Sequence, residues 1–156
     1  YKEKPEIRTG GDRAFYIPFL DYINMPDQEQ FVAKHIDQTV AFGHYYSTLF
    51  HECAHSTGHP SRCKRFEKNQ HGSIFGSESY SKEELIAEMT AAYLQAFAGI
   101  EVKAVRENNV AYLRNWIKRL ENDSKFAVQA ASQAQKASDY ILGVKWDNNE
   151  TATESA

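Results

Sequence analysis

The residues that decide this fold are His51-Glu52-Cys53-Ala54-His55. They fall near the end of a stretch whose apolar side chains recur every three or four residues, which predicts a helix over residues 39 to 57. On a helix, side chains four residues apart lie on one face about one turn apart, so His51 and His55 can bind a single metal ion. Glu52 follows roughly 100° around the helix, where its carboxylate can lie beside that ion without filling its coordination sphere.

The pattern H-E-x-x-H is typical of zinc metallopeptidases, which need two neutral imidazoles, an adjacent carboxylate and a position left open for water. In this interpretation Glu52 is the general base that takes a proton from the water. The competing interpretation is purely structural: the two histidines pack on a core face near the C-terminal end of their helix.

A catalytic zinc usually takes three protein ligands, so a third donor is expected elsewhere in the chain. A third histidine in the pattern H-E-x-x-H-x-x-G-x-x-H would stand at position 61, which is Ser61, and His59 is two residues away from it. The other option is a glutamate on a following helix. Candidates lie in the run Glu83-Glu84-Leu85-Ile86-Ala87-Glu88.

Within that run we assign Glu84 as the third ligand and Glu88, one turn further on, as the acceptor for the second N–H of a ligating histidine. Three alternatives stay open from the residues alone. Glu88 could be the ligand, Glu84 could reach back to Ser81 in a capping box, or the two glutamates could form surface salt bridges. Tyr80 and His71 are the candidates for a donor that stabilises the oxyanion.

The N-terminal residues predict three short strands. Residues 6–8 and 14–17 flank Gly10-Gly11, which predicts a β-hairpin, and a third strand over 21–24 stops at Pro26. The strand at 14–17 is a candidate to bind substrate as an added strand.

The remaining chain predicts helices with a long loop between them. We expect a helix from Asp27 with Gln30 reaching back to it, a left-handed cap at Gly58 after the helix of residues 39–57, and a loop over 60–80 with a short strand at 73–75. Further helices are expected from Ser81 to residue 98, over 109–120 and over 124–142. The predicted domain is residues 1–143, followed by a polar, disordered tail over 144–156.

Composition restricts the class of protein. The chain has 156 residues, 42% hydrophobic and 25% charged, which predicts one soluble domain without a membrane span. A net charge of -3 argues against non-specific nucleic-acid binding, and two cysteines favour a reducing compartment, so we expect a cytoplasmic protein. One basic cluster is interpreted as a solvated loop, with an anionic partner such as DNA as the alternative: Arg62, Lys64, Arg65 and Lys68.

From about residue 5 to residue 143 the sequence resembles the zincin-like metallopeptidase domain of ArdC-type antirestriction proteins, which is found also in related plasmid-transfer proteins. The stretches that carry the resemblance are Asp21-Tyr22-Ile23-Asn24-Met25-Pro26, Tyr45 to His59 with Arg62, Phe75 to Tyr80, Glu83 to Glu88, and a helical end with Tyr112, Trp116, Leu120 and residues 131–140.

The resemblance implies a gluzincin-type arrangement. With the strands and helices predicted above, the expected fold is α+β, a small N-terminal antiparallel sheet packed on a mostly helical body. The resemblance implies Zn²⁺ bound by His51, His55 and a glutamate of the 83–88 run, and hydrolysis of a protein or peptide substrate. It also implies single-stranded DNA binding by an N-terminal domain that this sequence does not contain. The alternative function is a non-catalytic, zinc-braced module of a DNA-binding antirestriction protein.

Overall fold

The computed structural model describes residues 1–34, 37–66, 78–100 and 124–145, together with positions 103, 107, 110, 111 and 114. Three strands come first and helices follow, which confirms the α+β class. In chain order the described elements are β1 (Glu6–Thr9), β2 (Phe15–Ile17), β3 (Tyr22–Met25), α1 (Gln28–Lys34), α2 (Gln38–Thr57), α3 (Glu78–Phe97) and α4 (Ser124–Leu142).

The sheet has the order β1-β3-β2, with β1 parallel and β2 antiparallel to the central strand. The predicted hairpin between β1 and β2 is therefore wrong, and the sheet is mixed rather than entirely antiparallel. The central strand β3 carries the fully buried Ile23 and Met25. The glycine loop runs across the end of β3, where the Gly10 N–H donates to the Met25 carbonyl at 2.9 Å. The hairpin joins β2 to β3 instead, through a turn in which Asp21 has a φ of +47°.

An aspartate precedes each of the first two helices. The Gln30 side chain does not reach back to Asp27 as predicted, because its Nε2 donates to the Gly11 carbonyl at 2.7 Å; the Gln30 backbone N–H donates to the backbone carbonyl of Asp27. Helix α2 begins one residue before the predicted start, at an N-cap formed by Asp37, whose Oδ1 accepts from the Thr39 N–H at 2.7 Å.

Two helices are followed by glycines in the left-handed conformation that typically closes a helix. Gly99, after α3, and Gly143, after α4, have φ of +66° and +71°. Gly58 is right-handed, with φ of −67°, so the left-handed cap predicted there is wrong. A glycine is needed at 58 for space, because a Cβ there would lie 2.6 Å from the ring of Phe66.

Helix α3 begins three residues earlier than predicted, at Glu78, so Ser81 lies in its first turn and is not the N-cap. This removes the capping-box alternative for Glu84. Helix α4 has the predicted bounds and packs on α3 through small side chains, among which Ala130 and Ala134 are fully buried.

Several predictions fall outside the described residues. They are the strand at 73–75, most of the helix at 109–120 and nearly all of the tail at 144–156, so the division into a domain of 1–143 and a tail stays a prediction. Among the helices that are described, none combines the length and apolarity needed to cross a membrane.

Candidate metal centre

Helices α2 and α3 pack side by side and bring together three donors, one from each of His51, His55 and Glu84. The Nε2 atoms of the two histidines lie 3.0 Å apart. The Glu84 carboxylate faces both of them, with Oε1 at 3.3 Å from His55 Nε2 and Oε2 at 3.6 Å from His51 Nε2. One imidazole nitrogen of each histidine therefore points at the same small volume as the carboxylate.

These donors fit a divalent metal ion. Ligand atoms about 2.0–2.1 Å from a tetrahedral zinc ion lie about 3.3 Å from one another, and the observed separations of 3.0 to 3.6 Å bracket that value. Imidazole nitrogen and carboxylate oxygen are also donors that zinc accepts. His59, whose spacing did not match a third-histidine motif, is occupied in the loop by a contact to Ser61 at 2.8 Å.

The outer nitrogen of each histidine faces a second carboxylate. Glu88 Oε1 lies 3.3 Å from His51 Nδ1, in the place assigned to it from the sequence. Glu83 Oε1 lies 3.3 Å from His55 Nδ1, a contact that the sequence analysis missed. An acceptor at Nδ1 keeps the proton on that nitrogen and leaves the Nε2 lone pair for a metal.

The carboxylates control the charge of the two imidazoles. Burial lowers the pKa of His51, but its hydrogen bonds to Glu84 and Glu88 outweigh burial and raise that pKa to about 10. For His55, burial likewise lowers the pKa and contacts with Glu83 and Glu84 raise it to about 8. Burial raises the pKa of Glu84, and the two histidines reverse this and hold it well below its usual range. The site therefore favours positive charge between these side chains, which a divalent cation also supplies.

The two arginines of the basic cluster that follows α2 are buried, so the solvated loop predicted from the sequence is wrong for them. The side chains of Arg62 and Arg65 are 1% and 7% exposed, and each pairs with both oxygens of one carboxylate. Arg62 Nη2 lies 2.7 Å from both carboxylate oxygens of Asp21, and Arg65 bonds both oxygens of Glu83. Of the other two members, Lys64 is exposed and Lys68 lies outside the described residues.

A cleft of about 420 Å³ opens beside the donors, within the size range of small-molecule and peptide sites. Glu52, which is buried, lies on its wall next to the two histidines. Tyr80 lies on the wall as well, whereas His71, the other candidate oxyanion donor, is outside the described residues. The cleft is lined from the sheet by Ala14, Phe15, Tyr16 and Pro18, from α2 by His51, Glu52 and His55, and from the loop and α3 by Phe66, Tyr80, Glu83 and Glu84.

Sequence comparison assigns this chain to a known family. Residues 2–133 match the model of a family described as zincin-like metallopeptidase. The chain is 40% identical over 137 residues to a protein named DNA primase TraC from Escherichia coli, covering 87% of this chain and 12% of TraC. It is 33% identical over 136 residues to the protein y4eC of Sinorhizobium fredii (strain NBRC 101917 / NGR234), covering 87% of this chain and 40% of y4eC.

Two solved structures of an ArdC protein are similar to this chain as well. The Mn(II)-bound structure of the antirestriction protein ArdC from plasmid R388 is similar with a TM-score of 0.64 and 36% identity, over 89% of this chain and 47% of ArdC. The metal-free ArdC structure is similar with a TM-score of 0.62 and 35% identity, over 88% of this chain and 45% of ArdC. The chain thus spans less than half the length of each of these relatives. With its H-E-x-x-H helix, its α+β fold and its matched family model, the chain belongs to the zincin-like metallopeptidases, and within them it resembles the ArdC-type proteins.

Proposed function

We propose that this domain is a zinc-dependent metallopeptidase that forms part of an ArdC-like antirestriction protein. The observation that carries the proposal is the combination of the three donors with Glu52 on one cleft wall. A site that only braces a fold uses four closed protein ligands and has no need of a further carboxylate beside them. Three donors with Glu52 beside them are what hydrolysis requires.

His51, His55 and Glu84 would hold the ion. Bound there, a divalent metal would supply Lewis-acid polarisation of a carbonyl and increase the acidity of a water molecule. Glu52 accepts the proton as the water oxygen bonds to the carbonyl carbon of the substrate peptide. Glu52 then donates that proton to the amide nitrogen as the C–N bond breaks, so that a carboxylic acid and an amine leave; the acid proton passes to the amine, which gives a carboxylate and an ammonium group. Tyr80, on the same cleft wall, is the proposed donor to the oxyanion.

Strand β2 supports a peptide as the substrate. It pairs with β3 on one side, and in the described part of the chain it forms an outer edge of the sheet. Phe15 and Tyr16 of this strand line the cleft opposite the helices. An extended peptide could therefore add to β2 through backbone hydrogen bonds and place a carbonyl near the donors. The edge strand predicted from the sequence as a substrate site thus lies at the cleft.

The proposed partners are a protein or peptide substrate and, through regions outside this chain, single-stranded DNA. The net charge of -3 offers no general attraction for phosphate. The two arginines of the basic cluster also have their charges paired within the domain, with Asp21 and with Glu83. These features favour DNA contacts elsewhere in an ArdC-like protein.

Hydrolysis of fluorescence-quenched casein by the zinc-loaded protein, with and without single-stranded DNA, tests the proposal. Glu52→Gln should keep the fold and one zinc but lower the rate by at least about 100-fold, because it removes the general base. The matched control is Glu29→Gln, which changes an exposed glutamate on α1 and should cleave at the wild-type rate.

Equal cleavage by Glu52→Gln and the wild type would contradict the mechanism. A wild-type protein that binds zinc and leaves casein intact with and without DNA would contradict the peptidase proposal and favour the non-catalytic module.

A further inference from the structure

We propose that Arg65 is a positioning residue of the metal centre, which acts through Glu83 to fix the ring of His55. The inference deepens the proposed function and rests on it. It begins from a chain of contacts that runs from the loop after α2 to helix α3 and back to the histidine.

The guanidinium of Arg65 donates two parallel hydrogen bonds to the carboxylate of Glu83. Its Nε donates to Oε2 at 2.9 Å and its Nη2 donates to Oε1 at 2.7 Å. The side chains of Arg65 and Glu83 are only 7% and 14% exposed, so solvent screens this pair weakly. A two-point pair of this kind fixes the plane of the carboxylate as well as its position.

The same carboxylate oxygen faces the histidine. Glu83 Oε1, which accepts from Arg65, lies 3.3 Å from His55 Nδ1. Turning the carboxylate would therefore weaken both contacts at once. With Oε1 held in place, the proton of a neutral His55 stays on Nδ1 and the Nε2 lone pair points at Glu84 and His51.

Arg65 also holds the backbone from which His55 projects. Its Nη2 donates to the carbonyl of Ala54 at 2.8 Å and its Nη1 donates to the hydroxyl of Thr57 at 2.7 Å. Ala54 precedes His55 and Thr57 is the last residue of α2. These two contacts anchor the guanidinium against the last turn of α2, so that it can orient the Glu83 carboxylate, which in turn orients the ring of His55.

An arginine suits this position because of the charges around it. Glu83 neighbours Glu84 in the sequence, and Glu88 lies one turn further along α3, so an unpaired Glu83 would be repelled by like charges. A lysine would keep the charge and lose the planar fork.

Arg62 provides a matched control within the same loop. Its side chain is 1% exposed and pairs through Nη2 with both oxygens of a carboxylate, but that carboxylate is Asp21 in the β2–β3 turn, which is 35% exposed. Arg62 also donates to the carbonyl of Ser56, so replacing it removes an ion pair and a contact to the last turn of α2 without touching a side chain that contacts a metal ligand.

The experiment measures the zinc dissociation constant by competition with a chromophoric chelator, and the visible absorption spectrum after Co²⁺ substitution. The variants are Arg65→Gln, Glu83→Gln, the double variant, and Arg62→Gln as control. Arg65→Lys is included because it keeps the positive charge, so that the positioning role can still be tested if Arg65→Gln fails to fold. Glu84→Ala reports on the proposed function itself.

We expect Arg65→Gln and Glu83→Gln each to weaken zinc binding about 10- to 100-fold and to shift the Co²⁺ bands, as loss of an outer contact typically does. The double variant should be no more than about 3-fold weaker than Glu83→Gln, because Arg65 acts through Glu83. Arg65→Lys should fall between the wild type and Arg65→Gln, and Arg62→Gln should bind zinc within about 2-fold of the wild type.

Wild-type zinc affinity and an unchanged Co²⁺ spectrum in Arg65→Gln or Arg65→Lys would overturn the positioning role. If Glu84→Ala loses the metal in the same experiment, the proposed metal site is supported even though Arg65 does not position it. Independent losses that multiply in the double variant would also overturn the route through Glu83. A wild-type protein that binds neither ion would overturn the proposed function and the positioning role together.

Discussion

Two arginines three residues apart in one loop hold opposite walls of the cleft. Arg65 joins the end of α2 to Glu83 on α3, on the wall that carries the metal donors. Arg62 joins the end of α2 to the sheet, because it pairs with Asp21 and donates to the carbonyls of Ser56 and Glu3.

The difference between them lies in what each partner contacts next. Asp21 accepts from the hydroxyl of Tyr16 at 2.8 Å, and Tyr16 belongs to the strand that lines the cleft. Glu83 contacts His55. The same residue type in the same loop, paired in each case with both oxygens of one carboxylate, therefore positions a cleft-lining strand in one case and a candidate metal donor in the other.

The largest expected effect on stability comes from Arg62→Gln. The substitution leaves Asp21 without its ion-pair partner and removes donors from two carbonyls, so the free energy of unfolding should fall by about 2–4 kcal/mol in urea denaturation of the metal-free protein. In the proposed peptidase reaction of the zinc-loaded protein, KM should rise more than kcat falls, because β2, which lines the cleft, loses the support of Asp21 and Tyr16. A loss of zinc affinity as large as that of Arg65→Gln would show that the two arginines do not act separately.

A smaller effect is expected from Gly58→Ala, which tests the anchor of the loop that carries both arginines. The new Cβ would meet the Phe66 ring at 2.6 Å, so unfolding should become easier by about 1–3 kcal/mol. With the backbone right-handed at 58, alanine itself costs nothing there. Phe66→Ala in the same chain should therefore make Gly58→Ala neutral or stabilising; an undiminished cost in that background would refute the steric explanation.

The smallest effect is expected from Tyr16→Phe, which removes one hydrogen bond to Asp21 and keeps the ring. The free energy of unfolding should fall by about 0.5–1.5 kcal/mol, measured by urea denaturation. Tyr46→Phe, on an exposed face of α2, is the matched control and should change it by less than about 0.5 kcal/mol. If the two variants lose equal stability, the hydroxyl of Tyr16 contributes nothing through Asp21.

The parts of the site that repeat with the helical period could be predicted from the sequence. His51 and His55 are one turn apart, as are Glu84 and Glu88, and local geometry alone places each pair on one face. Glu83 was missed because it lies beside the assigned ligand rather than one turn from it. Its role depends on how α3 packs against α2, which the spacing within α3 does not show.

The arginines were misjudged for a similar reason. A run of basic residues after a helix is usually solvated, and only the fold shows that Asp21 and Glu83 lie opposite Arg62 and Arg65. Strand pairing failed in the same way, since Gly10-Gly11 has positive φ as predicted but carries the chain across β3 instead of into a hairpin. The backbone conformation expected of the two glycines was therefore correct, but the pairing of β1 with β3, which is distant in sequence, could not be predicted from it.

The measurement that tests the central claim most directly is zinc titration of the metal-free wild type and of Glu84→Ala and Glu88→Ala. If His51, His55 and Glu84 are the ligands, the wild type binds about one zinc per chain, Glu84→Ala loses it, and Glu88→Ala binds it about 10- to 100-fold more weakly. A wild type that takes up no zinc, or a Glu84→Ala protein that binds it as tightly as the wild type, would contradict the account.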